Sequence, residues 1–142
     1  MAKDVYLETR VLTADPVELI HILYEHALVQ IRSARTALQA GDIAGRTKAI
    51  GKALEVVGEL EGSLDHNAGG SISQNLARLY QYMRRRLVEG NVKKQGGALA
   101  EVESLMQTLD EGWSAMRHTE SPRAISSYAA SAADSDGHSW SA

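Results

Sequence analysis

Apolar residues recur at helical spacing in four successive blocks of the chain. The block over 63–91 is the plainest. It reads as a helix end, a tight Gly69-Gly70 turn and a second amphipathic helix over 73–89. Ile72, Leu76, Leu79, Tyr80, Met83 and Leu87 fall within about 80 to 100° of arc, a single apolar stripe. Arg84 and Arg85 point away from that stripe, and Arg86 lies near its margin. Ser71 with Gln74 has the spacing of a capping box, and Gly90-Asn91 reads as a left-handed stop.

The first block predicts a helix over 16–40. Asp15 is its N-cap, Pro16 suits the first helical position, and Gly41 is its stop. Its core stripe is Leu19, Ile20, Leu23, Ala27, Ile31, Ala34 and Leu38. Ile22 and Val29 lie outside this stripe, and Tyr24 and Leu28 widen its other side. A helix with one buried face needs an apolar arc of only about 100°, so the excess calls for a cover: other parts of the chain, a second copy or a partner.

Asp42 caps a second helix, expected to run to 64, with a seam of Ile43, Ile50, Leu54, Val57 and Leu64. Gly51 and Gly58, seven apart on one side, either let a neighbouring backbone approach or leave a shallow groove. A fourth helix carries Ala98, Val102, Leu105, Met106, Leu109, Trp113 and Met116 and reaches about 117, its start blurred by Gly96-Gly97.

Short connections between four amphipathic helices predict an all-α, antiparallel up-down four-helix bundle over 15–117. An N-terminal arm over 1–14 precedes it. Residues 118–142 read as a flexible tail: thirteen of these 25 are Ser or Ala, and only Ile125, Tyr128 and Trp140 are bulky and apolar.

Composition narrows the function classes. There is no Phe and only seven aromatic residues, which favours helices packed with aliphatic side chains. The absence of cysteine removes disulfides, thiolate metal sites and Cys catalysis, and suits the cytosol. A net charge of −3 implies no general attraction to nucleic acid or anionic membrane. The first residues carry no apolar signal-like run, and no stretch is long enough to insert in a bilayer.

Catalytic chemistry finds little support. Glu18-x-x-His21 has the spacing of a di-metal ligand pair in a bundle, but no second copy accompanies it. The five histidines are scattered, and no phosphate loop is present. No cofactor or metal is expected. Arg84-Arg85-Arg86 with Lys93-Lys94, near Tyr80 and Tyr82, forms a basic cluster, which in an acidic chain reads as a solvated helix end rather than a nucleic-acid surface. From residue pattern alone, a binding or structural protein outranks an enzyme, and its ligand is open.

The motifs add a resemblance. Thr13-Ala14-Asp15-Pro16-x-Glu18-Leu19-Ile20 with Leu23-Tyr24-Glu25, then Leu38-x-x-Gly41-Asp42, then Ser63-Leu64-Asp65, Gly69-Gly70, Asn75-Leu76 and Leu79-Tyr80-x-Tyr82-Met83, and finally Leu99-x-Glu101-Val102 with Trp113 resemble the flagellar secretion chaperone family FliS. The resemblance spans about residues 5 to 117. Departures are local: Glu25-His26, Ser71-Ile72-Ser73 and Gly96-Gly97 differ from the family pattern.

The resemblance implies an export chaperone that binds the disordered C-terminal region of flagellin in the cytoplasm. It would prevent premature polymerisation and deliver flagellin to the type III export gate, the cytoplasmic domain of FlhA. It also implies that the N-terminal arm covers part of the apolar surface when flagellin is absent, and it makes Tyr6 a candidate contact to flagellin or gate. On the bundle the candidate contacts are Ile22, Val29, Tyr82 and Arg86, at or beyond the stripe margins. Tyr24, Asn75, Leu79 and Tyr80 match family motifs and suit core packing or a helix-end hydrogen bond equally well. The alternative is a bundle scaffold or adaptor that binds other flagellar proteins or forms a homodimer.

Overall fold

The computed structural model describes residues 16–119 together with Val5, Leu7 and Thr9, which are helical. Four helices follow one another: α1 (Pro16–Ala40), α2 (Ile43–Gly62), α3 (His66–Val92) and α4 (Gly96–Thr119). No strand occurs among the described residues. Most of the expected arm, with Asp15 and Tyr6, and the tail beyond 119 lie outside them.

α1 packs on α2 and α4, and α3 closes the ring by packing on the same two helices. Side-chain pairs set the directions. His21 meets Asp110 and Arg35 meets Glu103, so α1 and α4 are antiparallel. Arg46 meets Asn91 and Glu61 meets Arg84, so α2 and α3 are antiparallel too. The chain is the expected up-down bundle.

The first turn is built as the sequence suggests. Gly41 takes φ 72°, and the amides of Gly41 and Asp42 donate to the carbonyls of Leu38 and Ala37. This crossed pair closes a helix around a left-handed residue. Asp42 then caps α2 by accepting from the Gly45 amide at 2.9 Å. A Cβ at Gly45 would collide with that same carboxylate, so the cap requires the glycine.

Two boundaries differ from expectation. The third helix starts earlier, at His66, because Asp65 supplies the cap: its carboxylate accepts from the Asn67 amide. One turn later Gly70, at φ 55° and ψ −132°, breaks the backbone, and the main amphipathic run follows. The buried Ser73 hydroxyl ties that run back by donating to the Asp65 carbonyl at 3.1 Å. The other difference is the stop after α3. Gly90 is helical, and its lack of a Cβ admits Leu99 of α4, whose Cδ2 would lie 2.6 Å from one. The turn falls instead at Lys94, φ 53°, with the Gln95 amide donating to the Gly90 carbonyl. α4 begins at Gly96, two residues before its apolar pattern.

The core draws on all four helices. Ile31 of α1, Ala53, Val57 and Leu60 of α2, Tyr80, Met83 and Leu87 of α3, and Leu99, Val102 and Met106 of α4 are fully buried. Burial of the Ile, Leu, Val and Met side chains among them stabilises by about 1.5–3 kcal/mol each. Ile43, expected in the α2 seam, is instead 59% exposed.

Candidate functional site

Open grooves and a polar cluster lie on the outside of the ring among the described residues. The first groove, about 690 Å³, runs between α1 and the first half of α2. The buried Ala37 and Ala49 and the exposed Ser33 are small residues of its lining. Val29 forms an apolar wall, 44% exposed, and Arg32, Lys48 and Lys52 stand on the rim. The second groove, about 860 Å³, lies between α2 and α3, where Leu54 and the half-exposed Val88 sit among Glu55, Gln81, Arg84 and Arg85. Gly51 and Gly58 share this side of α2. Neither has a neighbour within 4 Å of its Cβ position, so they serve open surface and not a close backbone approach.

The polar cluster joins α3 to α4. Glu101 accepts from the Tyr82 hydroxyl at 2.9 Å and from Arg86 Nε at 2.7 Å. Arg86 also reaches Glu89 at 3.2 Å, and the Arg85 guanidinium lies 5.6 Å from the Tyr82 ring centre. The hydrogen bonds from Arg86 and Tyr82 hold the Glu101 carboxyl below its ordinary value. The same carboxylate raises the Tyr82 phenol, chiefly through their hydrogen bond, and the bonds to Glu101 and Glu89 raise Arg86. On the α1–α4 seam, Glu103 is also lowered. Desolvation opposes its charge, but hydrogen bonds from Arg35 at 2.6 Å and Arg32 at 2.9 Å outweigh it.

The candidate residues separate into distinct places. Tyr82 and Arg86 converge on Glu101, and Val29 opens onto the α1/α2 groove. Asn75 is exposed and accepts from Arg78 at 3.0 Å, while Leu79 is half-buried against the core. Tyr24 and Tyr80 are buried, their hydroxyls 2.9 Å apart. For these two the core alternative describes the geometry. Ile22 departs from expectation: it is 1% exposed and therefore interior, although it stands outside the contiguous central cluster. The wide apolar arc of α1 thus reflects extra burial at Ile22 and open surface only at Val29. Tyr6 lies outside the described residues.

Three features were not singled out from the sequence. Glu101 as a hub needs the α3–α4 register. Arg46, 6% exposed with Nε 2.9 Å from Asn91 Oδ1, breaks the rule that charged residues stay outside. Lys48 and Lys52 share one helix face at i, i+4, and that spacing was a readable signal. Among the described residues no group of side chains is arranged to hold a metal, and no helix is long and apolar enough to cross a membrane.

A closed helical core with open, partly apolar grooves between its helices makes this a helical-bundle protein. The sequence profile of the family described as flagellar protein FliS matches residues 1–120. The chain belongs to that family. The flagellar secretion chaperone FliS of Salmonella typhimurium is 36% identical over 110 residues, 77% of this chain and 82% of the relative. The flagellar secretion chaperone FliSB of Pseudomonas aeruginosa is 36% identical over 116 residues, 82% of this chain and 92% of the relative. FliS of Bacillus subtilis is 35% identical over 108 residues, 76% and 80% of the two chains. These relatives are named as chaperones and not as enzymes.

Proposed function

We propose that this chain is the export chaperone for flagellin. It binds the C-terminal region of newly made flagellin in the cytoplasm and keeps it from polymerising. It then hands flagellin to the cytoplasmic domain of FlhA at the type III export gate. Membership of a family whose members are named flagellar secretion chaperones carries this reading. The open grooves support it, since an amphipathic segment without structure of its own gains apolar burial there at roughly 25 cal/mol per Å² and offsets its ordering cost. Val29, Leu79, Tyr82, Arg86 and Asn75 are the described residues available for contact, with Tyr6 on the arm as a further contact to flagellin or gate. Ile22, Tyr24 and Tyr80 act from beneath, by holding α1 and α3 in place.

Titration calorimetry with the C-terminal helical segment of flagellin from the same organism tests the reading, with circular dichroism alongside. Saturable one-to-one binding, added helix and a negative heat-capacity change are expected. A folded bundle that gives neither heat nor added helix would transfer support to a scaffold or adaptor of other flagellar proteins.

A further inference from the structure

Arg46 is a buried cation that the bundle does not neutralise. It is 6% exposed, and its Nε donates to Asn91 Oδ1 at 2.9 Å, a neutral oxygen that also accepts from the Thr47 hydroxyl at 3.3 Å. Among the described residues no carboxylate lies within 4 Å of its guanidinium. Asp42, the nearest acid in sequence, is engaged as the cap of α2. The two terminal amino groups of Arg46 donate to nothing among the described residues. Neither is sealed from solvent, since the buried side-chain polar atom without a hydrogen bond among those residues is Glu61 Oε1. The exposed remainder of Arg46 therefore includes the outer edge of its fork. A charge held out of water without a counter-charge is costly, and two parallel N–H donors facing outward match a carboxylate.

The surroundings indicate what brings that carboxylate. Arg46 is the fourth residue of α2, near the positive end of its dipole. The turn between α3 and α4 adds Lys94, which makes no ion pair among the described residues. Ile43 stands one turn before Arg46 on the same side of α2, and Val92 follows Asn91. These two apolar side chains are 59% and 72% exposed. A small free anion gains nothing from them, whereas a peptide end with an apolar side chain does. The α1/α2 groove opens at this end as well, with Asp42 and Gly45 in its lining.

We propose that Arg46 receives the terminal carboxylate of the cargo chain, with Ile43 and Val92 against its last apolar side chain. The inference rests on the reading of the cargo as the C-terminal region of flagellin, a segment that necessarily ends in a carboxylate. It supplies a chemical reason for choosing a chain end over an internal segment of the same apolar pattern.

Titration calorimetry of the full protein compares the C-terminal flagellin segment ending in its free carboxylate with the same segment ending in an amide. The free acid should bind roughly tenfold more tightly, as hydrogen bonds to a charged group require. Arg46→Gln should bind both segments alike, at the affinity of the amide. Dichroism and urea curves report whether that variant is intact. If it is not, Arg46→Lys decides, since it keeps the charge and loses the fork: its preference for the acid should be reduced, and an undiminished preference overturns the proposal. Equal binding of acid and amide by the parent also overturns it and leaves the cargo reading standing. So does an acid preference that survives in Arg46→Gln, which places the carboxylate elsewhere. Equal weakening of both segments by an intact Arg46→Gln overturns it too, and assigns the arginine to a side-chain acid of the cargo. If neither segment binds, the cargo reading falls and the inference with it.

Discussion

At the residue scale, glycine positions that look alike in sequence have opposite physical roles. Gly90 admits Leu99, so Gly90→Ala should cost about 1–3 kcal/mol as overpacking, read from the urea midpoint. Gly51 and Gly58 have open space beside them in a helix, so Gly51→Ala or Gly58→Ala should stabilise the free protein by about 0.5–1 kcal/mol. Lys94 occupies the left-handed position that closes α3, a conformation costing a side-chain-bearing residue roughly 1 kcal/mol. Lys94→Gly should therefore raise the midpoint despite removing a charge, and a lowered midpoint would mean that the Lys94 side chain contributes more than its strain costs.

At the element scale, the polar seams between helices make stability pH-dependent, and the sign follows from the shifts. Glu101 and Glu103 are held below the ordinary carboxyl value of 4.5 in the folded bundle. In that window the unfolded chain binds more protons than the folded one, so the stabilisation is complete above the ordinary value and is lost as pH falls through the lowered ones. Urea midpoints should be flat from neutral pH to about 5 and fall below it, and Glu101→Gln with Glu103→Gln should flatten that fall. The raised Tyr82 phenol has the opposite sense, with stability lost only as pH rises through its folded value above 10.0. The helices themselves were legible from apolar spacing, because burial of one stripe dictates period. Their ends were less so. The stop expected at Gly90-Asn91 falls at Lys94, and Gly90 instead admits Leu99, a close approach that belongs to the α3–α4 register and leaves no mark on local pattern. Ile22 was read as lying outside the core stripe and needing a cover, and it is buried: angular position on α1 says which way a side chain points, not what lies there.

At the scale of the whole molecule, the difference between Ile22 and Val29 separates folding from recognition. The two are seven residues apart on one row of α1, yet one is 1% and the other 44% exposed. Ile22→Asp buries an unpaired carboxylate and should destabilise the bundle by about 3–5 kcal/mol, so any loss of binding would follow from loss of fold. Val29→Asp places the same charge at an open wall and should change stability by no more than about 0.5 kcal/mol. In the proposed chaperone it should weaken capture of the flagellin segment roughly tenfold, about 1.4 kcal/mol, with helicity unchanged. Calorimetry on both variants beside their urea curves distinguishes the outcomes. If Val29→Asp binds as the parent does, the α1/α2 groove is not a cargo surface, and the α2/α3 groove with Leu54 and Val88 becomes the face to mutate next. If Ile22→Asp folds normally and only binding suffers, its cover is a segment that yields to the cargo, and α1 presents one continuous apolar row once that cover moves.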